Sequence, residues 1–273
     1  MFRRAFKYRL YPNVEQQQAL ALQFGHARFV YNWGLATRKL HYREHGKGLG
    51  FYALKRLLTQ LKRTSEFRWL YEADSQVLQA KLEDLDRAYV NFFEKRSGYP
   101  RFKSRKAEQS IRYPQRFKFD GNRIYLPKVG WVKAVFHRPL EGTPKNVTVS
   151  KTKSGNYFVS VQCEVEGVTR PHGEGVVGVD LGLKHFAVLS TGEKIDHPQY
   201  LRRAERRLKR LQRQLARKAK GSANREKARL RLARRAERVA NQRKDFLDKL
   251  SYRLASEYHT VRLENLNVCG MLR

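Results

Sequence analysis

The sequence changes its hydrophobic period in blocks, and the first block is a single strand standing ahead of a long helical region. Residues 2–11 alternate roughly as a strand, and Pro12-Asn13 then stops it. Asn13, with Gln16 three residues on, has the spacing of a helix capping box. Phe29, Trp33, Ala36 and Leu40 recur at steps of four, three and four, which predicts the buried seam of a first helix. The glycines of His45-Gly46-Lys47-Gly48 end that helix. Leu54, Leu57, Leu58 and Leu61 mark a second helix, and Leu78, Leu82, Leu85, Tyr89 and Phe92 stripe a third, from about Asp74 to Lys95. Residues 13–95 therefore read as a small helical bundle.

From Gly98 the pattern turns to short β segments with turn punctuation. These are Arg123–Leu126, Trp131–Phe136, Asn146–Thr152 and Tyr157–Glu166, the last two joined as a hairpin by Lys153-Ser154-Gly155. The N-terminal strand can join this β module, leaving 13–95 as an insertion, and closure into a barrel would remove an exposed edge. A third unit opens with the apolar run Val176-Val177-Gly178-Val179-Asp180, then a strand from His185 to Leu189 and a short third strand after Thr191-Gly192. Two long helices follow. Leu201, Leu208, Leu211 and Leu215 line the first, Lys220-Gly221-Ser222 breaks it, and Leu232, Val239, Phe246 and Leu250 form a sparse seam on the second. His259 to Glu264 reads as a last strand.

Charge narrows the partners. Lys and Arg number 58 against 25 Asp and Glu, a net charge of +33, with an ordinary 41% of hydrophobic residues, so the excess does not replace a core. Such a charge disfavours a small neutral metabolite as the sole ligand. A polyanion whose counterions are released on binding fits, with nucleic acid ahead of an acidic membrane. No apolar run approaches the roughly 18 residues of a membrane span, and MFRRAFKYRLYP lacks a signal-peptide core, so a cytoplasmic protein is expected. Cys163 and Cys269 are the two cysteines, far apart, and support neither a disulfide framework nor a structural zinc site.

The 50 residues from Leu201 to Leu250 hold 20 Lys and Arg and five acids. Solvated helix faces mix signs at i,i+4, whereas Arg202-Arg203, Arg206-Arg207, Lys209-Arg210 and Arg234-Arg235 pile up one sign, which favours a phosphate-lined surface. A coiled-coil seam is the rival, but the apolar repeat is too sparse for it. A second basic cluster, Arg101, Lys103, Arg105 and Lys106, has Tyr99 and Phe102 between its charges, suited to backbone contact with base stacking; core packing accounts for Phe102 equally well.

Asp180 and Glu264 each end an apolar β run, where a carboxylate is costly to bury without a partner. A strand-end acid capping a turn is the plainer reading. Together at the ends of neighbouring strands, the two could hold Mg²⁺, which in a polycationic protein points to metal-dependent phosphodiester cleavage.

The order of a strand ending GVDLG (Gly178–Gly182), two short strands, helices and a strand ending LENL (Leu263–Leu266) resembles a RuvC-type nuclease domain of the RNase H fold. The segments ARFVYNW (Ala27–Trp33), GYPRFKSR (Gly98–Arg105), LPKVGWVK (Leu126–Lys133), GVDLGLKHFAV (Gly178–Val188) and RKDFLDKLS (Arg243–Ser251), with the basic helical hairpin, are similar in order to TnpB proteins of insertion sequences. The resemblance implies an α+β multidomain protein. Its parts are a split β-barrel wedge domain (1–12 and 96–172), an inserted helical recognition bundle (13–95) and an incomplete RNase H-like RuvC domain (173–273) carrying the basic hairpin 201–250. It further implies a guide RNA from the transposon end, a double-stranded DNA target, transposition, Mg²⁺ held by Asp180 and Glu264 as first and second catalytic acids, and Gln79 near the position that reads a motif beside the target.

The family pattern continues with a zinc-binding insert of paired cysteines and a third catalytic Asp on a C-terminal helix. Residues 265–273, Asn265-Leu266-Asn267-Val268-Cys269-Gly270-Met271-Leu272-Arg273, contain no acid and one cysteine, so no zinc is expected in this chain. The expectation is a C-terminally truncated form with one side of its sheet uncovered and little or no cleavage activity. An RNA-guided binder acting as a regulator, or a non-functional transposon fragment, are the competing readings.

Overall fold

The computed structural model describes residues 1–167, 173–266 and 270, which fall into two compact units, Met1–Gly167 and Val168–Arg273. The chain is a mixed α/β protein whose first unit is built on a curled antiparallel half-barrel sheet.

Strand β1 (Phe2–Tyr11) is central to that sheet. It pairs antiparallel with β7 (Tyr157–Val165) from Phe2↔Val165 to Leu10↔Tyr157, and on its other edge with β5 (Gly130–Val135). Strands β2 (Gln109–Tyr113), β3 (Lys118–Asp120), β4 (Arg123–Leu126) and β6 (Thr143–Lys151) complete the order β2-β6-β7-β1-β5-β4-β3. Alternation places Phe6, Tyr8 and Leu10 in one core with Val159, Val161 and Cys163. On the opposite side of β1, Lys7 and Arg9 lie over the Phe158 ring. Burial pushes the Cys163 thiol pKa up, as for an inert packing thiol.

Between β1 and β2 the chain forms α1 (Val14–His45), α2 (Phe51–Arg63), a 3-10 turn (Arg68–Glu72) and α3 (Ser75–Phe93). The capping box forms: the Gln16 N–H donates to Asn13 Oδ1 at 2.8 Å and the Asn13 N–H to Gln16 Oε1 at 3.1 Å. Gly46, at φ +63, closes α1 in the left-handed conformation. Asp74 caps α3, its Oδ1 accepting from the Gln76 and Val77 N–H groups while Oδ2 meets Arg116 at 2.7 Å.

The seam expected on α1 is corrected. Its buried line runs through Ala27, Val30, Tyr31, Gly34, Leu35 and Arg38, whereas Ala36 and Leu40 are exposed. Gly34 brings α1 so close to α3 that a Cβ there would lie 2.9 Å from Leu82 Cδ2. Arg38 is buried because Asp86 pairs with it at 2.5 Å and its guanidinium lies over the Tyr89 ring. A pattern scored on hydrophobicity counts neither residue as core. Strands β2 and β3 also escaped the sequence reading, being short and flanked by polar residues.

Gly142 tests the sheet. Its φ is +77, and a Cβ there would fall 2.0 Å from the Glu164 carbonyl oxygen. Gly142→Ala should therefore cost roughly 1–3 kcal/mol and lower the thermal midpoint. Gly121→Ala, with φ +50 but open space around it, should cost less, about 1 kcal/mol, and lower the thermal midpoint less.

The second unit carries β8 (Val176–Asp180), β9 (Ala187–Leu189), β10 (Lys194–Ile195), α4 (Tyr200–Ala216), α5 (Ala223–Glu257) and β11 (Thr260–Leu263), in sheet order β10-β9-β8-β11. Strand β11 runs parallel to β8, from Thr260↔Val176 to Leu263↔Val179, and the other pairs are antiparallel. Val177, Val179, Ala187 and Leu189 pack on Leu254 of α5, with Leu250 and Val261 at the margin. Leu263 ends edge strand β11 at 64% exposure, beyond the reach of that core. Residues 267–269, including Cys269, and 271–273 lie outside the described residues.

Candidate nucleic-acid interface

The α4–α5 hairpin is tied by its own cations. Ser222 caps α5 by accepting the Arg225 N–H at 3.1 Å, and Arg225 Nη1 donates to the Leu215 and Lys218 carbonyls at the end of α4. Ala204 and Val239 are buried, Leu208, Leu211, Leu215, Leu232 and Leu250 half-buried and Leu201 exposed, so few apolar contacts hold the helices. Between them runs a groove of about 1050 Å³. Arg203, Arg206, Arg207, Lys209 and Arg210 of α4 line it with Arg235 of α5, and among the described residues no carboxylate does.

Arg202 and Arg234 lie outside this groove; Arg234 instead borders a smaller hollow with Glu237 and Asp245. Arg213 and Arg231 line the groove and were missed by a reading that sought adjacent basic pairs. The signal available for Arg213 was its spacing, three residues after Arg210 and seven after Arg206, which keeps it on one helical face. Lys209 is partly neutralised by Glu205 at 2.7 Å, and this ammonium holds the Glu205 carboxyl below the usual carboxylate range.

The face of the second sheet opposite the α5 core carries the two acids. Asp180 follows Val179 as Glu264 follows Leu263 in matched parallel register, and both line a concavity of about 440 Å³ with Gly178, Ser190 and Arg262. Ser190 closes the β8–β9 side: its N–H donates to the Gly178 carbonyl at 2.8 Å, and its Oγ accepts the Gly178 N–H at 3.0 Å. Asp180 and Glu264 are exposed, and as hard oxygen donors they suit two positions of a divalent-cation shell. Among the described residues no group of three His, Cys, Asp or Glu side chains is placed to hold a metal.

In the first unit, Asn32 of α1 clasps the segment after α3. Its Nδ2 donates to the Lys103 carbonyl at 3.0 Å and its Oδ1 accepts the Lys103 N–H at 2.7 Å, with Lys103 Nζ over the Tyr31 ring. Arg101 and Arg105 are exposed on that segment. Gln79 of α3 is half-buried in a groove of about 320 Å³ against α2, beside Lys55, Arg56 and Lys62, three cations the sequence reading did not single out. No helix among the described residues is long and apolar enough to cross a membrane.

Residues 159–273 match the OrfB_IS605 family, described as probable transposase, and residues 1–47 match its companion, described as a helix-turn-helix domain. In this structure residues 1–47 are β1 and the single long helix α1. A putative RNA-guided DNA endonuclease of Streptomyces pristinaespiralis is 42% identical over 99% of the chain and 69% of the relative. The putative RNA-guided DNA endonuclease InsQ of Escherichia coli K12 is 37% identical over 98% of the chain and 67% of its own length. A putative RNA-guided DNA endonuclease of Mycobacterium tuberculosis is 25% identical over the same shares. With this likeness running along nearly its whole length, the chain belongs to the OrfB/TnpB family of insertion-sequence proteins.

Proposed function

We propose that this chain is an RNA-guided DNA-binding protein that holds a guide RNA against the α4–α5 groove and is directed by base pairing to a DNA duplex. The observation carrying the reading is that groove: cations from both helices face one channel whose lining, among the described residues, holds no acid, in a chain related to proteins named as putative RNA-guided DNA endonucleases. Such contacts follow a backbone by shape and leave sequence to base pairing. The pairing of β1 with strands that follow α1–α3 supports a wedge-like β module interrupted by a recognition-like helical bundle. The order β10-β9-β8-β11, with β11 parallel to β8, supports a RuvC-like second unit.

Asp180 and Glu264 would hold Mg²⁺ in that unit. When bound, the ion supplies charge stabilisation at a scissile phosphate. The chain's own contribution is to place two carboxylates on adjacent parallel strand ends, with the Arg262 cation on the same rim. Two carboxylates leave such a site under-ligated, and we assign the 273-residue chain on its own little or no cutting activity. A guide-directed binder that occupies DNA without cutting, and so regulates it, follows from the same geometry.

The decisive experiment expresses the chain with its flanking transposon RNA, purifies the ribonucleoprotein, and measures Mg²⁺-dependent cutting and binding of a matched duplex. Guide-dependent binding with cutting near background is expected. Robust cutting overturns the assigned inactivity, and a chain that retains no RNA overturns the reading as a whole.

A further inference from the structure

Two exposed rings in the first unit have no part in its cores. Tyr99 is 42% exposed and Phe102 55%, and neither belongs to the sheet core or the helical core. Their positions are nevertheless well defined. The Tyr99 hydroxyl shares a 2.9 Å hydrogen bond with Tyr89, and its ring meets Tyr89 and Phe92 edge-on at 5.6 and 5.2 Å. Lys39 of α1 reaches across, its Nζ 5.2 Å from the Tyr99 centroid and 5.0 Å from that of Phe102. Immediately downstream of Phe102, the Asn32 clasp fixes the backbone at Lys103.

We propose that Tyr99 and Phe102, bridged by Lys39, form a stacking platform for unpaired bases of the guide RNA, a site that rests on the function proposed above. Nucleic-acid bases stack on aromatic rings without regard to sequence, and cations beside those rings follow the backbone. Arg101, Lys103, Arg105 and Lys39 supply the cations, and among the described residues none of the four is ion-paired to a carboxylate. An apolar protein partner would leave these charges unanswered, whereas a polyanion with flat bases answers both features. RNA is favoured over DNA because the single-stranded segments of a guide present unpaired bases before any target is met, while a target duplex presents none until it is opened. The hydrogen bond and clasp hold the rings ready before binding, which reduces the entropy lost on association.

The test titrates the 273-residue protein against a fluorescently labelled, short single-stranded oligoadenylate and follows anisotropy at several salt concentrations. Phe102→Ala and Tyr99→Ala should each weaken binding by about 5- to 100-fold with the slope of log Kd against log salt unchanged. Arg101→Gln should lower that slope by about 0.7. Phe102→Trp should restore affinity. The thermal midpoint of Phe102→Ala should stay near that of the unaltered protein, since this ring lies outside the cores, whereas Tyr99→Ala also gives up its contacts with Tyr89 and Phe92 and should melt lower, so Phe102 is the deciding position. Unaltered affinity in Phe102→Ala overturns the platform, as does failure of the tryptophan variant to restore it. Tighter binding of the matching single-stranded DNA overturns the choice of RNA. Absence of RNA binding by the unaltered protein instead overturns the underlying function, which separates the two failures.

Discussion

Replacing Arg206, Arg207 and Arg210 together by glutamine is expected to abolish most of the RNA binding proposed for this protein. All three line the α4–α5 groove, and none is paired with an acid among the described residues. At about 1.5 kcal/mol for each charge-assisted hydrogen bond to phosphate, the low end for such bonds, affinity should fall on the order of 10³-fold. The dependence of log Kd on log salt should shallow by about one for each side chain. Exposed positions of this kind leave folding stability within about 0.5 kcal/mol, so a melting curve separates loss of contact from loss of fold. The comparison that decides the geometry is Arg202→Gln with Arg234→Gln. These carry the same kind of charge on the same hairpin but lie outside the groove, and their loss should weaken binding far less. If both sets weaken binding equally per charge removed, the RNA senses the diffuse field of the hairpin and the groove is not its seat.

The contrast between these sets marks where the sequence was legible. Local chemistry could be read directly: the Asn13–Gln16 capping box, the Gly46 stop, the Lys153-Ser154-Gly155 hairpin and the Lys220-Gly221-Ser222 break all depend on residues within a few positions of one another. Side-chain direction on a long helix could not. Arg202 and Arg203 are adjacent in sequence, but successive residues point about 100° apart and only Arg203 enters the groove. The α1 seam went astray for a related reason, since Gly34 and Arg38 are core positions made by α3, which begins 30 residues after α1 ends. Asp180 and Glu264 stood out as acids ending apolar runs. Their shared face exists only because β11 returns beside β8 after two helices and 80 residues, a pairing no local pattern encodes.

That shared face supports the second large expected effect. Asp180→Asn and Glu264→Gln should each abolish divalent-cation binding by the second unit, read as loss of the Mn²⁺ resonance change on titration, while RNA affinity stays unchanged because the arginine groove is a separate feature. The unaltered chain should bind weakly, for want of a third carboxylate among the described residues. Ser190→Asp supplies one. Ser190 occupies the same face and already presents an acceptor to the Gly178 N–H, so an aspartate can keep that hydrogen bond and offer its second oxygen to the concavity. Adding a ligand charge to a hard-cation site should tighten Mn²⁺ by about tenfold. The gain should vanish in the Ser190→Asp, Asp180→Asn double variant, because the cation is held jointly. Equal binding by Ser190→Asp and the unaltered chain would mean that the carboxylates of β8 and β11 do not converge on one ion. In that case Asp180 and Glu264 are strand-end acids facing solvent.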